Sequence, residues 1–165
     1  MTSRIVTVGL PVLGIVLIAG ASSAQDSQRN TLKGLPGIGV LVESLDPDLE
    51  KDGLTADLLT MDTFSRLRLA GIPFLTTAER RATLADAYVH VNLKTLKNEK
   101  GLYAYSIDVA VRQVAVLMNG ERAICPTRET GGMGTVGADG VREVRGVVKD
   151  KVNEFIDAWL SVNPK

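Results

Sequence analysis

The sequence predicts an α+β domain: a mixed, largely antiparallel sheet of about five strands with two helices packed on one face. Three observations carry this. Residues 87–97 and 102–118 alternate apolar and polar side chains, the period of half-buried strands. Val141, Val144, Val148, Val152, Phe155, Trp159 and Val162 recur at steps of three and four, the period of an amphipathic helix that Pro164 ends. Leu59, Thr63, Leu67 and Ala70 recur in the same way between Thr55, a helix cap, and Gly71, a left-handed stop.

The chain opens MTSRIVTVGLPVLGIVLIAGASSAQDSQRN, one cation followed by an apolar run from Ile5 to Ala21 and then small and polar residues. This is the layout of an export signal, and Ser22-x-Ala24 fits cleavage before Gln25. The run falls short of the roughly 20 residues that a spanning helix needs and contains Pro11. Residues 1–24 are therefore read as the signal, 25–36 as a polar leader with the composition of a mobile tail, and 37–165 as one domain. The expected product is exported, periplasmic or secreted, and touches a membrane only through an uncleaved signal.

Along the domain, residues 37–45 (GIGVLVESL) read as a first strand and DPDLEKDG as a polar loop. A helix is expected over 56–70, a second strand at 72–76 (IPFLT), and a short helical turn over 77–83 with Thr76 and Glu79 as a capping box. The long alternating strand changes its better apolar set to Val114, Val116 and Met118, which a bulge near Arg112 or Gln113 would reconcile. Asn119-Gly120 signals a hairpin, and Pro126 marks the returning strand as an edge or an end.

The register of the central hairpin follows from Glu99-Lys100-Gly101. As a three-residue loop with Gly101 left-handed, it sets Asn98 opposite Leu102, so that partner numbers sum to 200. Val89, Val91 and Leu93 then face Val111, Val109 and Ile107 on the core side. Tyr88, His90 and Asn92 sit beside Arg112, Ala110 and Asp108 on the other. A shift by one residue would expose an apolar row, forfeiting roughly 1.5–3 kcal/mol for each misplaced side chain.

Gly132, Gly134 and Gly137 in TGGMGTVG spell G-x-G-x-x-G, the dinucleotide fingerprint. In such a site the glycines begin the helix of a βαβ unit, and an acid at the end of the next strand holds the ribose. Here a helix occupies the remaining chain and no strand follows, so the glycines are read as a flexible crossover from strand to helix and no nucleotide is expected. Without the signal's single charge the chain carries 18 basic and 19 acidic side chains, no footprint for nucleic acid. His90 is the only histidine and Cys125 the only cysteine, with no zinc-ligand or triad spacing. His90 is expected on the solvated face of its strand and Cys125 as a half-buried hydrophobe. Asp46, Asp48, Glu50 and Asp52 read as a solvated turn. No catalytic, metal or cofactor residue is assigned.

The segments KGLPGIGVLVESL, GLTADLL…LRLAGI and TGGMGTVG…VNEFIDAWLSVNP resemble the ends and helix of a group of small exported bacterial proteins. The resemblance covers most of the mature chain and implies export without implying an activity. More loosely, the order of elements is similar to small α/β accessory domains of the envelope, such as the amino-terminal domain of the Tol-Pal propeller protein. The expected function is a binding or accessory role in the cell envelope. The candidate site is the uncovered sheet face carrying Tyr88, His90, Asn92, Asp108 and Arg112, with another envelope protein or a polar ligand as partner. The alternative is an exported hydrolase using carboxylates or His90.

Overall fold

The structure, a computed structural model, describes residues 20–164. The elements are α1 (Gly20–Asn30), β1 (Gly39–Val42), α2 (Pro47–Lys51), α3 (Ala56–Leu69), α4 (Thr77–Ala82), β2 (Tyr88–Lys97), β3 (Tyr103–Val116), β4 (Arg122–Val136) and α5 (Val141–Val162). One open sheet has the order β1-β2-β3-β4, with β1 parallel to β2 and the other pairs antiparallel. Most of the apolar run read as a signal lies outside the described residues, and the Ala24–Gln25 bond lies within α1. Among the described residues no helix is long and apolar enough to cross a membrane.

The central hairpin has the register that its loop dictates. Asn98 N donates to Leu102 O at 2.9 Å, Gly101 has φ +77°, and Val89, Val91 and Leu93 pair with Val111, Val109 and Ile107. All six are at most 3% exposed. Burial stabilises the fold by roughly 1.5–3 kcal/mol for each. The helix covering them is α5, whose Val144, Val148, Val152 and Phe155 are each 1% exposed. Beside it lies α3, capped by Thr55 Oγ1 accepting from Leu58 N and burying Leu59, Thr63 and Leu67. A polar seam joins the two helices: Arg145 donates to both carboxylate oxygens of Asp62 (2.6 and 2.9 Å), and Arg66 donates to Asn153.

Several expectations are corrected. Among the described residues the sheet has four strands, because IPFLT contributes only an isolated bridge between Ile38 and Phe74. Thr76 begins the capped turn of α4 immediately afterwards, so no length is left to pair. The acidic loop contains α2, capped by Asp46 with Pro47 in its first turn and seated by fully buried Leu49. The register shift does fall between Val111 and Arg112, but the extra residue is Thr127 on β4. Gln113 therefore stays on the core side, donating to Thr31 O and Thr127 Oγ1, while Val116 and Met118 are exposed.

The glycine-rich segment is strand rather than crossover. Gly132 and Gly134 lie within β4, opposite Ile107 and Tyr105. A Cβ on Gly134 would stand 2.6 Å from the Tyr105 hydroxyl, so the missing side chain is what lets the ring lie across the edge strand. The polar leader is docked as well: Leu32 is fully buried, Gly34 N donates to Asn163 Oδ1, and Asn163 Nδ2 donates to Leu32 O. One apolar side chain and a clasp from the far end of the chain hold what composition alone marks as a tail.

Candidate binding face

On the face turned away from α3 and α5, the pairing of β2 with β3 brings all five expected residues together. Tyr88 pairs with Arg112, His90 with Ala110, and Asn92 with Asp108. β1 adds Leu41 beside His90, and β4 adds Glu129 beside Ala110 and Gly131 beside Asp108. The face carries both signs of charge, with Lys94 and Arg112 among Glu43, Asp108 and Glu129.

His90 is on the expected face but is not solvated: it is 5% exposed. Its Nε2 lies 2.7 Å from Glu43 Oε1, and Tyr88 meets its ring edge-on at a centroid distance of 6.3 Å. Tyr88 is itself covered by the Arg80 guanidinium, 4.4 Å above the ring. Arg80 reaches there from α4, donating to Asp86 O and lying 2.7 Å from the Asp86 carboxylate. Neighbours from β1 and α4 thus roof one end of the face. Two buried donor or acceptor atoms there, His90 Nδ1 and Arg112 Nε, have no hydrogen-bond partner among the described residues. Each is polar capacity that a partner or water would satisfy.

The other end of the same face is apolar and open. Leu96 is 75% and Met133 85% exposed, and with Lys94, Ala104, Ser106 and Thr135 they line a groove of about 520 Å³. Sequence reasoning missed this end, and also Glu43 and Arg80. Leu96 follows the alternation of residues 87–97 and could have been placed on the face; Met133 could not while its segment was read as a loop. Glu43 and Arg80 reach the face through the parallel pairing of β1 and the packing of α4, which have no local signal.

The remaining candidates have structural roles. Asp52 accepts from Lys97 (2.8 Å) and from the hydroxyl of fully buried Tyr103 (2.7 Å). Those two bonds hold its carboxyl below the usual range, and Lys97 is correspondingly raised. Asp48 pairs with Lys51 across α2. Cys125 is half-buried in β4, paired with Gln113. Among the described residues, no three His, Cys, Asp or Glu side chains converge as a metal site would require.

No protein-family model and no curated protein matches the chain. Among solved structures, the crystal structure of a minor lipoprotein from Acinetobacter baumannii is similar over 74% of this chain and 88% of that one, with 12% sequence identity and a TM-score of 0.35.

Proposed function

We propose that this is an exported binding or accessory protein of the bacterial cell envelope, a reading supported by its sequence resemblance to small exported bacterial proteins. It works through the uncovered face of its sheet. The observation that carries the reading is an open apolar groove at Leu96 and Met133 on the same surface as the charged side chains of Lys94, Asp108 and Glu129. Interfaces combine apolar anchors with such polar surroundings. Export rests on the opening apolar run and its Ser22-x-Ala24 junction.

A hydrolase would need its base in a concave site that a substrate can enter. The His90–Glu43 pair supplies an oriented imidazole, yet His90 is 5% exposed beneath its neighbours, which favours binding over catalysis. The experiment is in-cell crosslinking from a photoreactive residue at Met133, with exposed Asp150 on α5 as the control position. Repeated capture of one envelope component from position 133 and not from position 150 supports the reading. Identical capture from both positions contradicts it.

A further inference from the structure

On the opposite side of the molecule, α1, β4 and α5 meet around a cleft of about 450 Å³ lined by Gln25, Arg29, Arg128, Glu154, Asp157 and Ser161. Both signs of charge line it, and they are unequally committed. Both carboxylate oxygens of Glu154 are engaged, one by Lys151 and one by Thr130. Asp157 is exposed and has no hydrogen bond or ion pair among the described residues. Among the described residues the Arg29 side chain has only a loose contact with Asp26, at 3.5 Å. Arg128 is half-buried. One of its terminal nitrogens donates to the main-chain carbonyl of Glu154 at 3.3 Å, while its Nε is buried without a partner. Burial, and then the charge of Arg29, bias Arg128 against its charged form. A cation held in that state gains most from an anion delivered to it.

The charges of these groups select among ligands. Glu154, Asp157 and Ser161 lie on one side of α5 at helical intervals. Arg128, anchored at the Glu154 carbonyl, and the free carboxylate of Asp157 line the same cleft. We propose that this cleft binds a small zwitterion of the amino-acid kind, its carboxylate on Arg128 and Arg29 and its ammonium on Asp157. A simple anion would satisfy the arginines and leave Asp157 repelling it. A simple cation would meet the reverse. A molecule carrying both charges answers all three groups. The site is independent of the sheet face on the other side of the molecule.

The test titrates glycine, β-alanine and γ-aminobutyrate into isotope-labelled protein as it is recovered from the cell, with acetate and methylammonium as single-charge controls, following backbone amide shifts. At least one zwitterion is expected to saturate shifts at residues 128 and 154–161, binding about tenfold or more tighter than either control. Arg128→Gln and Asp157→Asn should each weaken that binding by about tenfold or more. Asp157 is exposed and unpaired among the described residues, so Asp157→Asn leaves the fold intact and keeps the test decisive should Arg128→Gln disturb packing. The absence of saturable shifts for every zwitterion would overturn the proposal. So would acetate binding as tightly as the amino acids, or affinity unchanged in Asp157→Asn.

Discussion

His90 and Val91 are consecutive residues of β2, point to opposite faces, and are both buried, at 5% and 0% exposure. The reasons differ. Val91 is covered by helices that fold down on an apolar row, with Val109 as its cross-strand neighbour. His90 is covered by side chains of its own face, with Glu43, Leu41 and Tyr88 around it. Strand alternation specifies which face a side chain takes, whereas exposure on the uncovered face depends on which long polar side chains lie across it. The core face is therefore intolerant of any polar atom. The other tolerates polarity but only where it is paired.

The largest expected effect breaks the core side. Leu93→Asp places a carboxylate opposite Ile107 at a site 3% exposed and should cost about 4 kcal/mol or more, enough to unfold most of the domain; urea denaturation measures it. His90→Asp should also be damaging, by about 2–3 kcal/mol, because it sets a second carboxylate against Glu43 in a nearly closed site. Replacing exposed Lys94 by Asp on the same face should cost less than about 0.5 kcal/mol. If His90→Asp and Lys94→Asp are equally stable, the roofed end of the face is wrong.

A smaller effect sharpens the reading of β4. Gly134→Ala should destabilise by about 1–3 kcal/mol by pressing on Tyr105, and much less in a Tyr105→Ala background. Additive costs in that double-mutant cycle would remove the glycine–tyrosine contact from the account. The smallest effect is in acid. Asp62 is held below the usual carboxylate range, first by the hydrogen bond from Arg145 and then by Lys149, against the opposing effect of burial. A lowered folded pKa means that this contribution is complete above the ordinary value near 3.8 and is lost as the pH falls through the folded value. Thermal unfolding followed from pH 6 downward should show that decline in the native protein and a flatter profile in Asp62→Asn.

The sequence made legible whatever local chemistry encodes. The Glu99-Lys100-Gly101 loop specified the register of the central hairpin, Thr55 and Gly71 bracketed α3, and the stepped valines marked the face of α5. Asp46-Pro47 was also a readable helix start that the acidic composition of its loop obscured. What stayed hidden was non-local. Nothing near Gly39–Val42 announces a parallel partner forty-nine residues on, and so Glu43 could not be set against His90. Thr130–Val136 reads as loop because glycines weaken any strand signal, and the neighbouring strand explains two of them, the Tyr105 ring for Gly134 and the Ile107 carbonyl for Gly131. The five site residues shared a face as alternation required, but the groove at Leu96 and Met133 depended on β4 continuing past its glycines.

The central claim is that the uncovered sheet face is the working surface, and thiol accessibility in the cell tests it most directly. In a Cys125→Ser background, a cysteine at Met133 or at Asp150 is exposed in the isolated protein, and both should react at similar rates after purification. In the intact envelope the account predicts that the cysteine at position 133 is protected by about tenfold or more while the one at 150 reacts as before. Equal reactivity at the two positions in the cell would contradict it.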